Sequence, residues 1–252
     1  DTDADGDVLV IQSFSADPSL SVKLERRHLM TVTAKSAPKG PVTIEYVVSD
    51  GRHIARGSVV VIPTKNTGSV DPIAVDDDID VRAGSIATAP VLVNDSSPIG
   101  LDLKITRILE SPLGDNVWID RDKIRVRIPP GSQRQQSAVV YEVADSEGHT
   151  ASAVLNVTSI SEDSPNLPPA PREVVDRVLA GTKTRIPIRL DGIDPNGDAV
   201  TLLGLGAGPK LGRVVEVGES FITYEAFPKS QGTDTFRYQV ADAHGEVAAG
   251  QI

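Results

Sequence analysis

Tyr46-Val-Val-Ser-Asp50, Tyr141-Glu-Val-Ala-Asp145 and Tyr238-Gln-Val-Ala-Asp242 are three copies of one phrase, each followed by a glycine turn and a strand-like run. The tyrosines lie 95 and then 97 residues apart, so the chain reads as a tandem array of one module. Modules of that length, with alternating apolar residues and frequent turns, predict small all-β sandwiches.

The repeat extends outward from the phrase. Asp7 and Asp102 lie 39 residues before their tyrosines and Asp198 lies 40 before Tyr238. Each anchor precedes an alternating run: Val8 to Ile11, Leu103 to Ile108, and Val200 to Leu203. Upstream of the anchor, residues 73–93 and 174–190 read as two opening strands split by Ala83-Gly84 and Ala180-Gly181. Nothing occupies that place before Asp7, so the first module is expected to be cut and the chain to be part of a longer array. The expected modules are 1–66 (N-terminally truncated), 67–163 (complete) and 164–252 (its last strand clipped).

Between anchor and phrase each module carries a hairpin-like stretch. In the middle one, residues 117–119 and 124–128 flank the polar turn Asp120-Arg-Asp-Lys123; in the last, residues 214–217 and 221–224 flank Gly218-Glu219. Period-2 alternation sends Ile124, Val126 and Ile128 inward and Lys123, Arg125 and Arg127 outward. About seven strands per complete module is the number a Greek-key sandwich needs. The connectors, Pro63 to Pro72 and Ser161 to Pro171, are proline-marked, which predicts modules held apart in an extended array.

Composition narrows the class. Of 252 residues, 39% are hydrophobic and 24% charged, which describes a foldable chain. There is no cysteine, so small modules that often need a staple cannot use disulfides, and a bound cation is the remaining candidate. No run of 18 apolar residues occurs and the first residues are acidic, so membrane contact is not expected in this segment, and any signal or anchor lies outside it. A net charge of −10 disfavours nucleic acid. Residues 67–166 hold 16 acids against 8 bases, whereas residues 1–66 hold 8 of each.

Val75-Asp-Asp-Asp78, Ala83-Gly84, Asn94-Asp95, Asp194-Pro-Asn-Gly-Asp198 and the run Phe236 to Gly245 together resemble the bacterial immunoglobulin-like and cadherin-like repeat domains of large cell-surface and secreted proteins. The resemblance covers nearly the whole chain. It implies three tandem immunoglobulin-like, cadherin-like Greek-key β-sandwich modules at the cell surface or outside the cell. Such domains serve as adhesin stalks, spacers beside enzymes and occasional glycan binders. Some relatives bind calcium through Asp-rich turns and linkers. Residues 94–102 lack the paired acids of that pattern, so calcium is not implied at every repeat.

Two acidic stretches are candidate calcium sites. Asp1, Asp3, Asp5 and Gly6, with Asp7 beside them, match the first half of an EF-hand loop, but position 12 of that loop is Gln12. A partial calcium loop and a polar Asx turn both fit. Asp71, Asp76, Asp77, Asp78 and Asp80 sit at the first joint, where repulsion among five carboxylates invites solvation or a divalent cation. The second joint, residues 171–177, mixes signs and invites no metal. In each phrase the tyrosine reads as a core residue with its hydroxyl tied to backbone, and the Asp as a turn former.

Arg121, Lys123, Arg125, Arg127 and Arg134 form a basic strip. Arg125 and Arg127 are the candidate contacts to an anionic wall polymer, against cross-strand pairing with Asp120 and Asp122. Trp118 is the single tryptophan, fewer flat aromatics than a sugar-binding face usually offers. His28, His53, His149 and His244 are isolated, the carboxylates lie in linkers and turns, and Gly204-Leu-Gly-Ala-Gly208 lacks the helix and lysine of a phosphate loop. The sequence therefore reads as a monomeric, non-catalytic spacer or adhesive stalk. The alternative is a binding module for a cell-wall glycan or protein partner.

Overall fold

A computed structural model of the chain describes residues 1–4, 7–36, 40–62 and 70–252. Asp5 and Asn66 to Ser69 lie outside the described residues. Alternation of apolar and polar residues produces strands throughout, and no helix among the described residues is long and apolar enough to cross a membrane.

The first segment forms β1 (Val10–Ser15), β2 (Leu20–Glu25), β3 (Leu29–Ala34), β4 (Val42–Ser49) and β5 (Ile54–Val61). They make a three-stranded sheet, β1-β4-β5, and a separate β2-β3 hairpin. The middle segment forms β6 (Asp77–Arg82), β7 (Ile86–Ala89), β8 (Lys104–Glu110), β9 (Val117–Asp120), β10 (Lys123–Arg127), β11 (Gln135–Ala144) and β12 (Thr150–Ile160). These seven strands build two sheets, β7-β10-β9 and β6-β12-β11-β8, in which β6 runs parallel to β12 and every other pair is antiparallel. The last segment forms β13 (Lys183–Pro187), β14 (Val200–Ala207), β15 (Gly212–Val217), β16 (Phe221–Ala226), β17 (Arg237–Asp242) and β18 (Val247–Gln251), ordered β13-β16-β15 and β14-β17-β18. Its expected first opening strand is no named strand, yet Val174 N–H donates to the Gln251 carbonyl at 2.9 Å, in the place β6 takes beside β12.

The pleat does what its period requires. Ile124, Val126 and Ile128 are buried, with Val81, Tyr141, Val143, Leu155 and Val157, between the two middle sheets. Ile186, Ile222, Tyr224, Phe236, Tyr238 and Val240 fill the last sandwich, where the Tyr224 and Phe236 rings stack with centroids 5.6 Å apart. The first segment buries far less: Ile11, Leu20, Ile44 and Val48 are its fully covered apolar side chains among the described residues.

Separation of the segments, expected from the proline-marked connectors, is not what the contacts show. Connector residues 162–167 bond to both flanking sandwiches, because buried polar groups there need partners. The first segment also touches the last: Arg177 Nε donates to the Leu9 carbonyl at 2.7 Å and Val8 N–H to Thr233 Oγ1 at 3.4 Å.

Candidate functional site: a seam built on Arg82

The repeated phrase has a structural part to play. Tyr141 and Tyr238 are buried in their cores, and their hydroxyls reach the opening stretch of their own module: Tyr141 donates to the Val75 carbonyl at 3.3 Å and to Asp77 Oδ2 at 2.8 Å, Tyr238 to the Arg172 carbonyl at 2.6 Å. Burial and then the bond to Asp77 push the Tyr141 phenol up. Tyr46 is only half-buried and donates instead to Asp1 Oδ2 at 2.8 Å.

The aspartates that end the phrases close the turns that follow. Asp145 Oδ1 accepts Glu147 N–H at 2.9 Å and His149 N–H at 3.0 Å; Asp242 Oδ1 accepts His244 and Glu246 N–H, both at 2.9 Å. Asp50 accepts the backbone N–H groups of His53 and Arg52, which hold its carboxyl at about 2. Gly148 and Gly245, three residues after their aspartates, take φ of 93° and 94°, a conformation glycine adopts without strain.

Of the acids at the first joint, Asp77 is set apart from its neighbours. β6 alternates, so Asp77 points toward the core side and Asp76, Asp78 and Asp80 lie exposed. Asp76 Oδ1 accepts Val154 N–H at 2.8 Å. Asp77 serves Tyr141, and burial raises its carboxyl above the usual range. Asp71 is exposed. At the N-terminus Asp3 Oδ1 accepts Asp7 N–H at 3.0 Å, while Asp1 holds Tyr46. Among the described residues no group of three or more His, Asp or Glu is placed to hold a metal ion.

The basic strip is partly consumed. Arg125 Nη1 pairs with Asp120 Oδ2 at 3.4 Å, and Arg125 and Arg127 lie 6.0 and 5.6 Å from the Trp118 ring centroid. Lys123 reaches out of the middle segment to Asp191 Oδ2 of the last, at 2.6 Å.

That contact belongs to a larger seam, and its centre is a residue that sequence reasoning passed over. Arg82 ends β6, where Ala83 N–H donates to the Ile160 carbonyl. Its side chain is 6% exposed, and the guanidinium meets oxygens from both sides of the seam. Nε donates to Asp198 Oδ2 at 3.3 Å, Nη1 to the carbonyls of Glu162 at 3.2 Å and Ser164 at 2.7 Å, and Nη2 to Asn166 Oδ1 at 3.3 Å. Asn166 in turn donates to Asp242 Oδ2 at 2.7 Å. Burial pushes the Asp242 carboxyl up, but that bond and the turn N–H groups outweigh it and hold the group below the usual range.

The loop Asp194-Pro-Asn-Gly-Asp198 supplies the opposite wall. Asp194 Oδ1 accepts Asn196 N–H at 2.8 Å and Asp198 N–H at 3.0 Å, a tight Asx turn. Asn196 Oδ1 then accepts Leu167 N–H at 2.8 Å, tying the connector down. Gly197 has φ of 74°, and a Cβ there would lie 2.0 Å from the Asp80 carbonyl oxygen, so the two sandwiches meet backbone to side-chain-free backbone. His244 Nε2 stands 3.5 Å from Asp198 Oδ1. A cleft of about 730 Å³, lined by Asp78, Asp80, Asp191, Asp194 and Arg172 among others, opens beside the seam.

Several oxygens turned toward one positive charge is the environment a hard cation takes in other proteins; here four acceptor oxygens face a covalently attached guanidinium. Burying an ion pair costs solvation, but Arg82 has a partner for each nitrogen, and removal of either charge would leave the other stranded. The clue in sequence was thin: a single arginine closing an acidic strand, 116 residues from the aspartate it meets.

A family profile described as "Bacterial Ig domain" matches residues 69–158 and 166–252. No curated protein matches the chain by sequence. Among solved structures, the human desmocollin-1 ectodomain is 12% identical over 97% of this chain and 50% of that one, with a TM-score of 0.29. Drosophila N-cadherin EC1-4 is 12% identical over 100% and 67%, TM-score 0.31, and sidekick-1 immunoglobulin domains 1-4 are 10% identical over 96% and 64%, TM-score 0.33. The chain thus spans about half the length of the desmocollin-1 chain it matches.

Proposed function

This chain belongs to the bacterial Ig domain family, and we propose that it is a non-catalytic structural or adhesive segment of an extracellular or cell-surface protein. The observation that carries this reading is the seam: residues that a binding or catalytic module would turn outward are spent on fixing one sandwich to the next. A part that transmits position or force gains from a joint with one arrangement, and a buried, fully bonded charge favours one arrangement over its neighbours. Residues 67–163 and 164–252 act as the two halves of this brace. Residues 1–66 act as a third, partial module, which the third copy of the phrase and the β1-β4-β5 sheet support.

The seam supplies its own cation, so calcium is not needed there; Asp71 to Asp80 and Asp1 to Asp7 remain the places to test for it. The test is small-angle scattering of the whole chain with calcium and with chelator, paired with a calcium titration followed by calorimetry. One radius of gyration in both buffers, without heat of binding, supports a brace held by protein groups alone. A radius that changes with calcium moves the fixing of the array to the acidic stretches.

A further inference from the structure

The seam that Arg82 holds together is short of positive charge. Three carboxylates lie in it, those of Asp194, Asp198 and Asp242, each less than a tenth exposed, and one buried guanidinium faces them. Arg82 Nε donates to Asp198, and Asp242 Oδ2 is met by the neutral amide of Asn166. Asp194 is served unequally at its two oxygens. Oδ1 accepts the N–H groups of Asn196 and Asp198, whereas Oδ2 is closed to solvent and has no hydrogen-bond partner among the described residues.

The surroundings give that oxygen no cation. The cleft beside it is walled by Asp78 and Asp80 from β6, Arg125 from β10, Arg172, and Asp191 and Asp198 from the loop itself. The turn after β17 adds Asp242 and His244, and the Glu162 carboxylate of the connector is turned away onto Gly131 N–H. Arg82 is bonded to Asp198, Arg125 to Asp120 and Lys123 to Asp191, while His244 stands by Asp198; among the described residues no base pairs with Asp194. An ionised oxygen so placed is costly, and a proton on it removes the cost. Burial, with the charges of Asp198 and Asp242 adding to it, pushes the Asp194 carboxyl above its usual range against the two N–H groups that hold it down.

This burial depends on the seam. Loop 194–198 meets β6 at Gly197, beside the Asp80 carbonyl, and the connector at Asn196, so parting the sandwiches would return Asp194 toward water.

We propose that the seam is a proton-operated joint: in mild acid Asp194 takes a proton on Oδ2, and the contact between the two sandwiches tightens. A proton held more firmly in the closed seam favours closure. That contribution is full below about pH 3.9, the value of an aspartate in water, and is lost as pH rises through the closed-state value. The proposal rests on the brace reading, and the two fail apart: loss of the brace shows as a radius of gyration that changes with calcium, loss of the proton as an ordinary carboxylate titration.

The test uses the full chain labelled with carbon-13 and nitrogen-15. The assigned Asp194 carboxyl resonance is followed from about pH 3.5 to about pH 8, with the Leu167 N–H and Arg82 Nε–H resonances as reporters from across the seam. Urea unfolding over the same range compares the parent with Asp194→Asn and His244→Gln. The expected Asp194 midpoint lies above about 3.9, and both reporters move with it. The urea midpoint of the parent falls as pH rises through that value, less so in Asp194→Asn, and His244→Gln keeps this part of the response. An Asp194 midpoint at or below about 3.9, reporters that stay still across it, or an undiminished response in Asp194→Asn would overturn the proposal. Should Asp194→Asn fail to fold, the parent's carboxyl titration and its two reporters decide the matter.

Discussion

The acidic start of the middle sandwich and the seam at its other end invert the distribution that charge density alone suggests. Between Asp71 and Asp80 five carboxylates crowd ten residues of sequence, yet the strand's alternation turns Asp77 to the core side and leaves Asp76, Asp78 and Asp80 on the outer face, with Asp76 bonded to Val154 N–H and Asp77 to Tyr141. At the seam, three oxygens from residues 162–166 and one from Asp198 converge on a guanidinium 80 to 116 residues away in sequence. Convergence depends on which backbone turns face one another, and local density of like residues says little about it. A strand separates what sequence puts side by side; a loop docked on a strand end unites what sequence keeps apart.

The largest expected effect breaks the seam. Arg82→Gln should lower the unfolding free energy by about 3–5 kcal/mol, because Asp198 would remain buried without its cation. Asp198→Asn should cost less than Asp198→Ala, since an amide oxygen can still accept from Arg82. Urea unfolding measures all three. Next, Gly197→Ala should cost about 1–3 kcal/mol, because the new methyl meets the Asp80 backbone and the residue must keep a positive φ.

A smaller effect sharpens the acidic side of the comparison. Tyr141→Phe should cost about 0.5–1.5 kcal/mol through loss of the bonds to Asp77 and Val75, whereas Asp78→Asn and Asp80→Asn should stay within about 0.5 kcal/mol of the parent. A large stabilisation by both neutralisations would show that the acids repel as a cluster after all.

The smallest effect is a pH dependence at the same end. The hydrogen bond that His149 Nδ1 donates to the Asp145 carboxylate, reinforced by the charges of Asp145, Glu147 and Asp71, holds His149 above the usual imidazole range. A raised value in the folded chain adds stability that is fully present below about pH 6.5 and is lost as pH rises through the folded value. His149→Gln should therefore lower the unfolding midpoint more at pH 5.5 than at pH 8.5. The last module has Glu246 where the middle one has His149, so this imidazole–aspartate contact is not repeated at that position of its turn.

Most of the fold was legible. The phrase located β4, β11 and β17, the anchors located β1, β8 and β14, and the alternation of residues 123–128 gave the buried face correctly, because each of these signals is local and periodic. The turn role of Asp145 and Asp242 and the core role of Tyr141 and Tyr238 were local too. The seam was not legible. Proline content in residues 161–171 argued for separation, and only distant partners explain why the connector is held in place: Arg82 and Asp242 for Asn166, and Asn196 of the docked loop for Leu167. Lys123 likewise read as a member of a surface strip, and its partner Asp191 lies 68 residues away.

The central claim, that protein groups around Arg82 hold the two matched modules in one arrangement without metal, has a direct test. The chain has no cysteine, so Glu147→Cys and Glu219→Cys place one spin label on each exposed hairpin turn, and pulsed dipolar spectroscopy reads the distance between them. The account predicts one narrow distribution, the same with calcium and with chelator, that broadens in Arg82→Gln. A broad distribution in the parent, or one that narrows only when calcium is added, would contradict it.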